Sequence, residues 1–249
     1  MNFSEQSWTS VRDALASGRP VAAILPCGAT EAHGPHLPLN TDVVISEGMA
    51  RRAAAMLNQG AACALVLPAL AYAPAVYAAA FAGTISISFE AMKLVLVDIA
   101  RCLKAQGFAC LAIANSHFDP TNVAVLREAS DEIRGLGLPV AFPDFTRRAL
   151  AQTLTAEFMS GACHAGQFET SLVMVDRPDL VNDAARSALE ANPVSLTAAF
   201  ARGAKTFAEA GGPSAYFGDP RSATSAEGEQ VFRSMAGALL DAIRETIDV

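Results

Sequence analysis

Four short apolar runs, Val21–Leu25, Ala64–Leu67, Cys110–Ala114 and Pro139–Phe142, are separated along the chain by longer amphipathic segments. Each run is apolar on both faces and closed by turn or polar residues, which is how a strand buried on both sides of a sheet reads. The stretches Val43–Leu57, Phe89–Gln106 and Asn122–Leu136 carry helical spacing. In the second, Ala91, Leu94, Val95, Ile99 and Leu103 fall near i, i+3, i+4 intervals and mark the expected core face. Gly107 predicts the end of that helix, and Ala226–Ile247 reads as a final one. The alternation predicts an α/β fold, layered, with a largely parallel central sheet flanked by helices. No repeat, low-complexity tract or linker divides the 249 residues, so a single domain over 1–249 is expected. In such sheets ligands sit beyond the carboxyl ends of the strands.

Composition narrows the partners. Eighteen Lys and Arg against 25 Asp and Glu give a net charge of −7 without a basic cluster, which argues against nucleic acid. Only 17% of residues are charged while 52% are hydrophobic. That excludes disorder and predicts that part of the surface is buried in a homo-oligomer. The uncharged interval between Arg52 and Glu90 holds a stretch, Ala61 to Gly83, about as long as the ~20 residues of a membrane helix. Pro68 and Pro74 interrupt it, so a buried strand and an apolar loop are expected there, and no membrane association. Five cysteines without a CxxC pair read as reduced thiols, with Cys27 and Cys163 as small packing residues, and an N-terminus without a basic, then apolar, leader fits a cytoplasmic protein.

The four histidines, His33, His36, His117 and His164, each lie near a carboxylate. The first predicted strand runs into Glu31-Ala-His33-Gly-Pro-His36, with Asp42 closing the loop; the third runs into His117-Phe-Asp119; a later stretch reads His164-Ala-Gly-Gln-Phe-Glu169. Imidazole and carboxylate together are the donors of Zn, Mn and Fe sites. Neighbouring strand ends would bring Glu31, His33, His117 and Asp119 together. Asp42 also suits a helix N-cap, His36 a loop-pinning role, and Glu169 a cap for a helix starting near Gly166.

The stretch Gly28-Ala-Thr-Glu31-Ala-His33-Gly-Pro-His36-Leu-Pro-Leu-Asn-Thr-Asp42 strongly resembles the signature of the creatininase (creatinine amidohydrolase) family. Phe81-Ala-Gly83-Thr84, Gly107-Phe108, His164-Ala-Gly-Gln-Phe-Glu169-Thr-Ser171 and Gly218-Asp-Pro-Arg-Ser-Ala-Thr-Ser match it in the same order. The resemblance implies an α/β layered fold, two divalent metal ions (Zn, Mn or Fe) and, in many members, a homohexamer. It implies hydrolysis of a small-molecule, non-peptide amide, a cyclic amide or formamide, by water activated between the metals. It places Glu31, His33, Asp42 and His117 on metal ligands, with Asp42 bridging, and His164 on the proton-transferring histidine. Glu169 falls on a motif acid that is either catalytic support or an additional ligand. Asp119 stands where creatininases carry a ligand-like Glu.

Several departures bear on the substrate. The family's Ser and His before the Gly-Thr motif are replaced by Ala75 and Ala78, and the only Trp, Trp8, is far in sequence from the motif whose Trp covers the substrate in creatininase. A larger or less polar substrate than creatinine is expected. The alternatives are a peptidase-like member acting on a short modified peptide, although that branch carries a Gly-rich Asn-Gly-His stretch absent here, and a catalytically inactive ligand-binding member.

Overall fold

The computed structural model describes residues 2–248. Its elements are α1 (Trp8–Leu15), β1 (Val21–Cys27), α2 (Thr41–Leu57), β2 (Cys63–Val66), α3 (Phe89–Gln106), β3 (Cys110–Asn115), α4 (Pro120–Gly135), β4 (Val140–Ala141), α5 (Arg148–Ala151), α6 (Ala156–Ser160), α7 (Gln167–Asp176), α8 (Asp183–Ala188), α9 (Leu196–Ala201) and α10 (Ser225–Ile247). The strands form one parallel sheet in the order β2-β1-β3-β4. Val21 pairs with Cys63, Ala22 with Cys110, and Leu111 with Val140.

Alternation along β1 builds two cores. Ala22 and Ile24 face a cluster with Met49 of α2, Phe168 of α7 and Phe232 and Leu239 of α10. Val21, Ala23 and Leu25 face the opposite cluster, with Met92 and Leu96 of α3 and Val125 and Leu126 of α4. With both faces covered, each strand must be apolar throughout, which is why all seven residues of β1 are buried. Helix ends follow local chemistry. Ser88 accepts from the Ala91 N–H and Thr224 from the Glu227 N–H as N-caps, and Gly107 ends α3 in the left-handed conformation at φ 89°.

The core face of α3 differs from the one its sequence predicts. Its buried residues are Met92, Leu96, Val97, Ala100 and Leu103, whereas Leu94 is 63% and Val95 42% exposed. The helix is apolar over much of its circumference, so two stripes compete in the sequence. Packing against α4 and β3 selects the one through Met92, Leu96 and Ala100. The uncharged stretch after Arg52 becomes β2 and then an ordered loop, stitched to β1 by Leu67 N–H donating to Ile24 O (2.8 Å) and Leu70 N–H to Pro26 O (2.9 Å). Among the described residues no helix is long and apolar enough to cross a membrane.

Beyond the sheet's carboxyl edge a third, smaller cluster gathers Ala78, Ala162, Ala199, Phe207 and Phe217, with Tyr77 and Phe81 against it. Its residues come from the loop after β2 and from the chain around α9. They form an apolar wall beside the strand ends.

Candidate metal centre

β1 and β3 are adjacent, so their polar extensions leave the sheet side by side. The chain leaves β1 through Gly28, where an added Cβ would lie 2.7 Å from the Val43 backbone nitrogen and 2.8 Å from the Asp42 carbonyl carbon. Only glycine allows α2 to start that close to the strand. The helix N-cap is Asn40, without a side-chain bond, which leaves Asp42 free of capping. Its buried carboxylate turns inward, and its Oδ2 accepts from the Ala29 N–H at 3.3 Å. After β3, Asn115 and Asn122 both donate to the His117 carbonyl, at 2.9 and 2.7 Å, and pin the turn that presents its ring.

These extensions, with α7, bring together six of the seven side chains that the sequence nominates. His117 Nδ1 lies 3.0 Å from Asp42 Oδ2 and 3.2 Å from Glu31 Oε1. His33 Nε2 lies 3.3 Å from Asp42 Oδ1 and 3.4 Å from Glu169 Oε2. His164 Nδ1 lies 3.9 Å from Glu31 Oε1. Three sets of donor atoms each fall within 4.8 Å of one another: Glu31, Asp42 and His117; His33, Asp42 and Glu169; and Glu31, His33 and His164. Asp42 joins the first two sets.

The ring orientations are set from behind. Only an N–H can bond a carbonyl, so His33 Nδ1 donates to Glu31 O (3.1 Å), His117 Nε2 to Pro74 O (2.8 Å) and His164 Nε2 to Ala32 O (2.9 Å). In each ring the other nitrogen faces the carboxylates. His33 Nε2 is buried with no hydrogen-bond partner, which is costly unless something else occupies its lone pair. Nitrogen and oxygen donors, one unpartnered lone pair and backbone carbonyls orienting the imidazoles all fit divalent Zn, Mn or Fe.

Electrostatics point the same way. Burial alone would lower the His33 pKa, but Asp42, Glu169 and Glu31 override it and push it up to about 10. Burial likewise opposes charge on His117, and Glu31 and Asp42 again raise it well above the ordinary value. Burial, with Asp42 and Glu31 adding to it, raises Glu169 to about 8 against the pull of His33. Three carboxylates this close require compensating cations, and protons on His33 and His117 serve when no metal does. Metal uptake therefore displaces those protons. His164 behaves oppositely: burial, reinforced by the charge on His33, lowers it to about 4, so it is neutral with a free Nδ1 lone pair.

Asp119 is the nominated ligand that stays outside these groups. Its Oδ1 accepts from the Thr121 N–H at 2.7 Å and its Oδ2 from the Val76 N–H at 3.0 Å, so it caps α4 and ties down the loop bearing Ala75. Glu169 supplies the third donor beside His33 and Asp42 instead. It also reaches back from the first turn of α7 to the Ala165 N–H at 2.6 Å, so the capping role open in the sequence coexists with membership of the cluster. Ala165 holds φ at 50°, a conformation that side chains other than glycine rarely adopt, and it lies between His164 and the start of α7. His36 pins its loop to α7, Nε2 lying 3.0 Å from Thr170 Oγ1, and joins none of the donor groups.

Sequence reasoning missed Glu157. Its carboxylate accepts from the Gln167, Phe168 and Asp219 N–H groups at 3.0, 2.9 and 2.9 Å. It thus caps α7, whose N-cap is Gly166, from outside the helix and anchors the Gly218 loop. An added Cβ on Gly166 or Gly218 would meet a Glu157 oxygen at 2.3 or 2.4 Å. No local motif announces such a long-range cap.

The centre opens into a cavity of about 550 Å³. Glu31, Asp42, His117, His164 and Glu169 form its floor, and Tyr77, Phe118, Phe158, Phe200 and Phe207 contribute walls. Tyr77 stacks on Phe200 at 3.7 Å between centroids, and His164 is held between His33 and Phe207, 4.4 Å from each. Ala75 and Ala78 are fully buried and bring no polar group. Burial raises the Cys27 thiol to about 12 and Cys163 well above its ordinary value, with Glu169 and Glu157 adding to the latter, so neither is a nucleophile; all five cysteines are unpaired.

Comparison with known proteins agrees with this geometry. The Creatininase family, described as "Creatinine amidohydrolase", matches residues 4–243. A mycofactocin precursor peptide peptidase from Mycobacterium ulcerans is 33% identical over 91% of this chain and 86% of its own length. A creatinine amidohydrolase from Pseudomonas putida is 30% identical over 72% of each. Among solved structures, a manganese form of creatininase superposes with a TM-score of 0.74 at 26% identity, covering 99% of this chain and 98% of its own.

Proposed function

The chain belongs to the creatininase family, and from that premise we propose that it is a metal-dependent hydrolase of a C–N amide bond in an apolar substrate the size of a short peptide. The observation that carries the size is the cavity: about 550 Å³, lined by six aromatic rings, above a floor of carboxylates and imidazoles. That volume lies within the range of pockets for ligands of several hundred daltons, roughly 300–1,000 Å³, and a compact cyclic amide would leave most of it empty. Non-peptide cyclic amides and formamides, which the motif resemblance favours, thus become the second reading.

Two divalent cations fit the donor sets: Glu31, Asp42 and His117 for one, His33, Asp42 and Glu169 for the other, with Asp42 shared. When bound they supply polarisation of the amide carbonyl and a lowered pKa for water. The chain's own residues do the rest. Ala32 O holds His164 in the tautomer whose Nδ1 lone pair faces the centre. That nitrogen takes a proton from the attacking water as its oxygen bonds the carbonyl carbon. It returns the proton to the amide nitrogen as the C–N bond breaks, leaving an amine and a carboxylic acid that then ionises to the carboxylate. Phe207 and His33 keep the ring from turning away. The aromatic walls exclude water from the rest of the cavity and favour an apolar acyl or amine part. Retention of Glu31, His33, Asp42, His117 and His164 speaks against an inactive ligand-binding member.

The test is a panel of short apolar peptides, cyclic amides and formamides with metal-loaded protein. The highest kcat/KM is expected for peptides. Turnover confined to cyclic amides or formamides would restore the second reading, and none for any class would favour the ligand-binding one.

A further inference from the structure

Away from the metal centre, two other cations, Arg127 and Arg148, line the cavity, and they differ in one respect. Arg127 is committed: its Nε and Nη2 donate to Asp144 Oδ2 at 2.9 and 2.6 Å, and Nη2 also donates to Thr146 Oγ1 at 2.9 Å. Arg147, next along the chain, is drawn to the same Asp144 oxygen at 3.3 Å. Asp144 itself is fixed, accepting from the Thr146 N–H at 3.0 Å while its own carbonyl accepts from the Arg147 N–H at 2.9 Å. This turn commits the Asp144 carboxylate to two arginines and starts α5 at Arg148. The Arg148 guanidinium has no hydrogen-bond or carboxylate partner among the described residues, and it borders the same cavity as the donors of the metal centre. An arginine fork without a partner matches a carboxylate in shape and charge.

We propose that Arg148 determines specificity by receiving a carboxylate of the substrate, so that the enzyme acts on apolar amides bearing an anionic end. The inference rests on the functional reading above only in placing the scissile amide at the donor cluster. An aromatic body between two polar ends would lie along the walls, with Arg148 at one end and the reacting bond at the other. The carboxylate has two possible sources, a peptide's own C-terminus or an acidic side chain, and the chemistry at Arg148 is the same for both.

The experiment measures binding, and separately turnover, on metal-loaded protein with three probes: acetyl-Leu-Phe as the free acid, its carboxamide, and acetyl-Leu-Asp carboxamide. The expected result is that the free acid binds at least about tenfold more tightly than its carboxamide, in line with a charge-assisted bidentate pair. Arg148→Gln should bring that ratio close to one, and Arg148→Lys should leave an intermediate ratio. A preference for the free acid alone assigns the site to a chain end, and a preference shared by the Asp probe assigns it to a carboxylate of either origin. Equal binding of acid and carboxamide, no binding of any probe, or an acid preference that survives Arg148→Gln overturns the proposal. The last result would put the carboxylate on the metals. Tight, Arg148-dependent binding without turnover would keep this inference and remove the hydrolase reading, whereas turnover without acid preference would do the reverse.

Discussion

Asp42→Ala strips the protein of metal and lowers kcat/KM by about a thousandfold or more. Asp42 links the group built on His117 to the group built on Glu169, its Oδ1 3.3 Å from His33 Nε2 and its Oδ2 3.0 Å from His117 Nδ1. In the proposed two-metal centre its removal would take a ligand from each metal at once. It also leaves two histidines whose raised pKa values depended on it partly unpaired. Losing the several kcal/mol of transition-state stabilisation that metal ions supply corresponds to about three orders of magnitude at 1.36 kcal/mol per factor of ten. Elemental analysis of the variant beside its steady-state kinetics checks this. A variant that kept two equivalents of metal would refute the bridging role.

His164→Ala has the second largest expected effect, and its signature is different. His164 groups with Glu31 and His33, its Nδ1 3.9 Å from Glu31 Oε1, and is set towards the cavity by Ala32 O and by the Phe207 ring. Its loss removes a proton carrier, typically worth about 10²–10⁴ in rate, while metal content stays near that of the parent protein. The acidic limb of the kcat/KM profile is expected to follow a histidine that must be neutral to accept the proton, and burial of His164 should set that limb below the ordinary histidine range. The variant should lose this limb. A full kcat, or a large loss of metal, would contradict the assignment and make His164 dispensable or a ligand.

How much of this was readable beforehand differs from residue to residue. β1 and β3 were legible because burial on both faces demands continuous apolar residues, and their adjacency follows from the parallel alternation. The position of Glu31, His33 and His117 at strand ends was legible for the same reason. Asp119 lies outside the donor groups, whereas Glu169, read as either catalytic support or an additional ligand, lies within one. In Asp119-Pro120-Thr121 two rules compete: the His-x-acid spacing that copies Glu31 and His33, and the cap that an Asp before Pro supplies to a helix. The cap prevails, because the Thr121 and Val76 N–H groups both require an acceptor. Glu169 was ambiguous because the first turn of a helix suits an acid whether or not a metal is near. Leu94 and Val95 were misplaced on α3 because that helix offers two apolar stripes, and only the partner packed against it selects one. Glu157 and Arg148 were invisible for a further reason. Each acts through chain brought in from elsewhere, Glu157 through α7 and the Gly218 loop, Arg148 through a turn that commits Asp144 to other arginines.

The most direct test of a two-metal centre is metal per chain, by elemental analysis of protein purified without chelator and then reloaded with Zn, Mn or Fe. Asp42, shared by the His117 and Glu169 donor groups, predicts two equivalents. A single equivalent, or none after reloading, would contradict the centre described here.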